Sequence, residues 1–348
     1  MQIHSEPKWR DRMKAVGYQQ PLPIEDERSL LDCDLPKPEP GPRDIRVAVK
    51  AVSVNPIDMK VRKRTAPPSG EYKILGYDAA GVVDTVGSEV TLFQPGDEVF
   101  YAGSVIRQGT NSEFHLVDER IVGRKPRILS FSQAAALPLT SLTAWELLFE
   151  RMGIAQSKND NRTLLIIGGA GGVGSIAIQL ARRFTGLTVI ATASRPETIQ
   201  WCLDLGAHHV IDHSKSMKEQ IAKLSLPPVA WICSLTNTDM HFPVLSDIVE
   251  PQGAIGVIDD TGPLDVATLK AKAASLRLES MFARTKFQTP DMAEQRVLLN
   301  HIADMIDAGE IKTTLDKVFG KINASNLRAA HATIESGRSI GKIVLEGW

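Results

Sequence analysis

Two textures of hydrophobic patterning meet near residue 130 of this chain. Before it, apolar and polar positions alternate with period two, most clearly in Asp44-Ile45-Arg46-Val47-Ala48-Val49-Lys50-Ala51-Val52, which predicts a half-buried strand. Further strands are predicted over 81–86, 98–101 and 113–117. The clusters Pro40-Gly41-Pro42, Pro67-Pro68-Ser69-Gly70 and Pro95-Gly96-Asp97 supply turns, so this part reads as an irregular β-rich domain. From Phe131 the period changes. A helix is predicted over 132–150, then apolar strands at 163–167, 187–192, 209–211, 230–233, 253–258 and 275–280, with helical spacing at 175–182 and 196–205. Strands alternating with helices predict a doubly wound parallel sheet. After Pro290, helices over 292–308 and 324–336 and extended segments at 317–319 and 341–345 are expected to return to the first domain. The chain is thus expected to be α/β, with a β-rich domain over 1–130 completed by 287–348, and a parallel-sheet domain over 131–286.

The junction of the 163–167 strand with the following helix carries the strongest chemical signal. Gly169, Gly171 and Gly174 fit G-x-G-x-x-G, with Gly172 and Val173 inside the pattern. The first glycine allows a tight turn, the second lets backbone approach a pyrophosphate, and the third lets helix pack on strand, while free N–H groups at the helix start face the phosphates. Glycine clusters also close ordinary turns. Here an apolar strand precedes the loop, a helix follows and a second strand completes a β-α-β unit, so the loop is read as a dinucleotide site.

An acidic residue at the end of the second strand would take the ribose hydroxyls of NAD, but Thr192-Ala193-Ser194-Arg195 contains none. Ser194 and Arg195 instead predict NADPH, with the guanidinium pairing with the additional phosphate. Ser194-Arg195-Pro196-Glu197 also reads as a capping box, Ser194 closing the helix start and Glu197 reaching back, which leaves room for an anion there.

Composition narrows the partners. The 348 residues suffice for two domains, and 40 Lys+Arg against 41 Asp+Glu offer no electrostatic case for nucleic acid or an anionic membrane. No apolar run approaches the roughly 20 residues of a membrane helix, and the first residues lack a signal-peptide core, so a cytoplasmic protein is expected. Cys33, Cys202 and Cys233 are few and far apart, which predicts half-buried thiols without a disulfide or metal role.

Five ordered landmarks resemble the medium-chain dehydrogenase/reductase superfamily, in its zinc-free quinone oxidoreductase and zinc-type alcohol dehydrogenase-like branch. They are Val54-Asn55-Pro56-Ile57-Asp58-Met59-Lys60, Leu75-Gly76-Tyr77-Asp78-Ala79-Ala80-Gly81-Val82-Val83, Gln94-Pro95-Gly96-Asp97-Glu98-Val99, the glycine loop with Gln179-Leu180-Ala181, and Ser336-Gly337-Arg338-Ser339-Ile340-Gly341-Lys342-Ile343-Val344-Leu345. The polar residues 1–12 fall outside the resemblance and are expected to be a mobile extension. The resemblance implies a GroES-like barrel with the catalytic cleft, a Rossmann domain inserted before the C-terminal tail, the nicotinamide in the cleft, and a homodimer through sheet edges, with 274–282 as the candidate edge. It also implies cofactor contacts from His213 near the adenosine phosphate, Leu235 near the nicotinamide ribose, and Phe282 near the nicotinamide, for which core packing is the alternative.

One departure bears on the chemistry. Zinc alcohol dehydrogenases of the superfamily carry cysteine where Asn55 stands and Gly-His-Glu where this chain has Gly76-Tyr77-Asp78; the four-cysteine structural zinc loop would fall over 101–124, which holds no cysteine. No metal is therefore expected. Without a Lewis acid, an unactivated ketone loses the main means of stabilising its developing alkoxide, whereas a quinone or α,β-unsaturated carbonyl spreads the charge over its own conjugated system. The expected activity is NADPH-dependent reduction of such small molecules by direct hydride transfer. Candidate catalytic residues are Asn55, whose amide either reaches a substrate carbonyl or forms an Asx turn before Pro56; Asp58; Tyr77, which orients substrate or fills the volume of the missing histidine; and Tyr101 as a lining residue. Two other readings stand beside this one: a zinc alcohol dehydrogenase with altered ligands, and an NADPH-binding protein without turnover.

Overall fold

The computed structural model describes residues 12–348, so all but Arg12 of the expected N-terminal extension lies outside the described residues. The chain forms two compact units, one of residues up to 139, 282–308 and 315–348, the other of 140–281 and 309–314.

The first unit is organised by the strand Asp44–Ser53, whose alternating valines were legible in the hydrophobic pattern. It pairs antiparallel with Ala79–Val86 on one side and, on the other, with Phe114–Asp118 near its start and Lys342–Glu346 near its end. Leu315–Val318, Glu98–Tyr101 and Gly123–Arg124 complete a seven-stranded sheet. A second sheet, Leu31–Pro36, Arg12–Tyr18 and Lys73–Ile74, joins it through a bridge between Ala15 and Ser112. Its core gathers Val47, Val52, Val83, Val99, Leu327, Ile343 and Leu345, all buried. Full burial of each such side chain contributes about 1.5–3 kcal/mol. The helix Pro56–Arg64 was not anticipated; proline opens it, and the Asp58 carboxylate accepts the N–H of Asn55 at its start.

In the second unit we number the strands β1 (Thr163–Ile167), β2 (Thr188–Thr192), β3 (His209–Ile211), β4 (Val229–Ser234), β5 (Val249–Val257) and β6 (Ser275–Leu278). They are all parallel, in the order β3-β2-β1-β4-β5-β6. β1 is buried along its whole length, as a central parallel strand covered on both faces must be. The strand order reverses between β1 and β4, which opens a crevice at their carboxyl ends.

Several boundaries differ from expectation. The helix expected over 132–150 is broken into Phe131–Ala135, Pro138–Trp145 and a π-helical turn, Glu146–Arg151. Pro138 cannot donate a backbone hydrogen bond and so begins a new helix. The wide turn stacks residues five apart, and there Arg151 pairs with buried Glu146 at 3.1 Å and with Glu279 at 2.7 Å. Residues 131–139 and 282–286 group with the β-rich unit, because Ser132 hydrogen-bonds Glu346, Leu139 donates its N–H to Asp78, and Phe282 packs on Tyr77. Residues 309–314 group with the parallel sheet through two hydrogen bonds between Gln179 and Lys312. Cys202 and Cys233 are fully buried rather than half-buried. Among the described residues no helix is long and apolar enough to cross a membrane.

Candidate functional site

The cofactor residues expected in the parallel-sheet unit come together at the carboxyl ends of its strands. Gly171 caps the helix Gly172–Phe184, which presents the N–H groups of Gly172, Val173 and Gly174 at its start. The tight turn after β1 is made by Gly168, at φ +79°, and not by Gly169. Gly169 serves packing, since a Cβ there would stand 2.6 Å from the Cβ of Ala191 on β2. A Cβ on Gly174 would stand 2.4 Å from the carbonyl oxygen of Gly168, so this position holds helix against loop. Gly171 is different. Its Cβ would meet nothing closer than 3.4 Å, so protein packing does not demand glycine, and the open space above the helix start is what a pyrophosphate needs.

Leu235 follows β4 and stands beside Gly168, whose Cβ would lie 3.9 Å from its own. His213 follows β3, half-buried, with its ring edge-on to His241 at 6.3 Å and its Nδ1 buried without a hydrogen-bond partner among the described residues. At the end of β2 the expected capping box is corrected. The helix Pro196–Asp204 is capped at Arg195, whose backbone N–H donates to Thr198 Oγ1 at 3.1 Å, so Ser194 remains exposed and outside the cap. Glu197 turns to the Arg195 guanidinium instead, at 3.3 Å. Phe282, expected at the cofactor, belongs to the other unit.

The polar centre of the β-rich unit is fully buried. Asn55 Nδ2 donates to Asp78 Oδ2 at 2.8 Å, and Asn55 Oδ1 accepts from the Lys342 ammonium. Lys342 Nζ also donates to Val54 O at 3.0 Å and lies 3.2 Å from Asp78 Oδ2. The other Asp78 oxygen accepts the N–H of Leu139 at 2.7 Å. Asp58 accepts N–H groups from Asn55 and Gly76, both at 2.8 Å. Burial pushes Asp58 up to about 7 against those two bonds. Burial likewise raises Asp78 and lowers Lys342, and the attraction between the two charges opposes both shifts. Asn55 therefore does not offer its amide to a substrate; both ends are spent inside the protein.

Tyr77 is the candidate whose polar atom is uncommitted. Its ring is buried edge-on to Phe282 at 5.5 Å, and its hydroxyl has no hydrogen-bond partner among the described residues. Burial, with the Asp58 charge adding to it, raises its pKa, so the phenol stays protonated. Tyr101 is fully buried and stacks on His115 with its hydroxyl 3.1 Å from Nδ1. His115 Nε2 lies 3.0 Å from Gln108 O, an acceptor, so Nε2 carries the proton and Tyr101 donates to Nδ1. Burial lowers His115 to about 4 and keeps it neutral. That pair is closed, with the Tyr101 hydroxyl committed to His115.

The donor set does not fit a zinc ion. Asn55 supplies an amide, Tyr77 a protonated phenol, and Asp78 a carboxylate already facing an ammonium, so a divalent cation would share its only charged ligand with a buried positive charge. Among the described residues no three or more His, Cys, Asp or Glu side chains are grouped to hold a metal. Lys342 itself was missed by sequence reasoning; its signal was a single lysine heading an apolar strand, Lys342-Ile343-Val344-Leu345.

Residues 41–138 match the alcohol dehydrogenase GroES-like domain, and residues 205–345 match the zinc-binding dehydrogenase family. A zinc-type alcohol dehydrogenase-like protein of Staphylococcus aureus (strain MSSA476) is 40% identical over 336 residues, covering 96% of this chain and 99% of its own. A 2-methylene-furan-3-one reductase of Solanum lycopersicum is 29% identical over 325 residues, covering 90% and 74%. A crystal structure from Rhizobium etli CFN 42, named for zinc-dependent alcohol dehydrogenase, is similar with a TM-score of 0.93 at 56% identity, covering 97% of this chain and 98% of that one. With a GroES-like barrel, a Rossmann sheet and relatives matched along nearly its whole length, the chain belongs to the medium-chain dehydrogenase/reductase superfamily, in its zinc-type alcohol dehydrogenase-like branch of nicotinamide-dependent oxidoreductases.

Proposed function

We propose that the protein is an NADPH-dependent reductase of quinones or α,β-unsaturated carbonyls that works without catalytic zinc. The observation that carries this reading is the buried centre: Asn55, at the position of the cysteine ligand of the family's zinc dehydrogenases, and Asp78 are engaged with the Lys342 ammonium, and Tyr77 stands at the position of the histidine. When bound, the dihydronicotinamide supplies a hydride. A conjugated substrate takes up the charge as an enolate or hydroquinone anion and asks the protein only for a hydrogen-bond donor, with a proton from solvent completing the reduction. We assign that donor to the Tyr77 hydroxyl, which is buried, protonated and unpartnered, with Asp58 holding the backbone of Gly76 beside it. Arg195 is assigned to the additional phosphate of NADPH, and Gly171 to Gly174, with Leu235 and His213, to the rest of the dinucleotide. The tomato relative supports the substrate class, because its name describes an alkene conjugated to a ketone.

Steady-state rates over a panel of quinones, enones and saturated ketones, with NADPH and with NADH, test the proposal. Turnover of the conjugated members with NADPH is expected. Turnover of the saturated ketones, dependent on added zinc, would overturn it, as would tight cofactor binding with no turnover of any member. We further propose a homodimer through β6, whose outer edge has no strand partner among the described residues and where Leu278 is 69% exposed; sedimentation measures it. The three free cysteines are in keeping with the reducing cytoplasm.

A further inference from the structure

Lys342 makes a distinctive set of contacts in the β-rich unit. Its side chain is 4% exposed, and its ammonium is met by three oxygens: Val54 O, Asn55 Oδ1 and Asp78 Oδ2. One carboxylate and two carbonyl-type oxygens are what a small hard cation is ordinarily given. The three segments, which are the residues leading into the helix Pro56–Arg64, the residue leading into Ala79–Val86 and the strand that carries Lys342, are already neighbours in the sheet through Asp44–Ser53, and the ammonium joins their side-chain and carbonyl oxygens. Asp78 extends the tie to Leu139 through its second oxygen, and it adjoins Tyr77 in the chain.

We propose that Lys342 is a positioning residue, the fixed internal cation of this centre. It holds Asn55, where the zinc dehydrogenases of the family have a cysteine ligand, and Asp78, next to Tyr77 where they have the histidine ligand, and through Asp78 it fixes the backbone that presents the Tyr77 hydroxyl. The lysine thereby replaces a metal as the organiser of the site while leaving no vacant ligand for one. A buried carboxylate deprived of its cation is strongly destabilising, so the centre depends on the charge as well as on the volume of the side chain. The part of the proposal that concerns Tyr77 rests on the reductase reading above; the hold on Asn55 and Asp78 does not.

Lys342→Ala removes a propylammonium's worth of side chain, and added propylammonium is the probe. The variant is expected to melt several degrees lower than wild type and to lose about tenfold or more in kcat with an unchanged cofactor Kd. Propylammonium is expected to restore both melting temperature and kcat saturably, whereas tetramethylammonium, which has no N–H donor, and sodium chloride at equal ionic strength restore neither. Wild-type protein dialysed against zinc and then buffer is expected to retain no stoichiometric zinc. Wild-type melting and kcat in Lys342→Ala, failure of propylammonium to act on the folded variant, or one tightly held zinc per chain would each overturn the proposal. If the single variant does not fold, the double variant Lys342→Ala/Asp78→Asn carries no unpaired charge and decides the matter. It is expected to fold, to remain low in kcat and to ignore propylammonium; wild-type kcat there overturns the proposal. If wild-type protein turns over no panel substrate, the reductase reading fails while the melting and zinc measurements still test the cation.

Discussion

Replacing Arg195 by alanine should separate the two nicotinamide cofactors. The guanidinium is about one-third exposed and lies 3.3 Å from the Glu197 carboxylate, which is more than half exposed. A charge-assisted hydrogen bond from Arg195 to the additional phosphate is worth roughly 1.5–3 kcal/mol. Against it stands the pair with Glu197 that must loosen, worth at most about 1 kcal/mol at such exposure. The difference, about 0.5–2 kcal/mol when the pair costs its full amount, corresponds to a fall of roughly 2- to 30-fold in kcat/KM for NADPH, with NADH altered by no more than about twofold. Glu197 sharpens the test. Glu197→Gln removes the competitor and leaves Arg195 in place, so kcat/KM for NADPH should rise about two- to fivefold while NADH is unmoved. Initial rates followed by the absorbance of the reduced nicotinamide, with a fixed quinone, measure all three proteins. Because both charges are solvent-accessible, the NADPH preference should also weaken as salt is raised. Equal losses for both cofactors in Arg195→Ala, or a lower NADPH rate in Glu197→Gln, would refute the assignment of Arg195 to the phosphate.

Three further outcomes follow from local geometry. Gly171→Ala should leave the melting temperature near wild type, since its Cβ meets nothing closer than 3.4 Å, but weaken cofactor binding about tenfold or more by titration; Gly174→Ala, with a Cβ 2.4 Å from Gly168 O, should lower the melting temperature by itself. Tyr77→Phe should reduce kcat on enones by about 10- to 100-fold and leave melting unchanged or raised, because the hydroxyl it removes is buried without a partner. Asp58 predicts a pH dependence. Its folded pKa, pushed up to about 7 by burial, lies above the unfolded value of about 3.9, so the folded state holds the proton more tightly. Its contribution to stability is complete below about pH 4 and is lost as pH rises through about 7; Asp58→Asn should flatten that slope in a melting series across the interval.

The parts of this protein legible in its sequence are those whose signals are local. A parallel strand buried on both faces writes itself as a continuous apolar run, so β1 could be placed to the residue, and the spacing of the glycines after it marked the loop. Even there the roles shifted by one position: Gly168, not Gly169, takes the left-handed turn, because the loop pattern specifies spacing and leaves open which glycine bends. The capping of Pro196–Asp204 misled for a similar reason. Serine followed at the third position by glutamate satisfies the box on paper, but the helix begins one residue later, and Thr198 closes it.

The polar centre was only half legible, and the missing half is physical. Departures at Asn55 and Tyr77 announce that zinc ligands are gone, but they say nothing of what balances Asp78, since a buried carboxylate must find its partner anywhere in the fold. That partner arrives on the last strand, in a lysine whose neighbours are all apolar and whose own type is ordinarily exposed. With Asn55 Oδ1 accepting from Lys342 and its Nδ2 donating to Asp78 and Ser53 O, both ends of the Asn55 amide are committed, and among the candidate residues the Tyr77 hydroxyl has no partner among the described residues. On the proposed reading, the buried centre holds Asn55 and the donor is Tyr77. A neutral phenol is a weak electrophile compared with zinc, and a site with only that to offer selects substrates that stabilise their own charge.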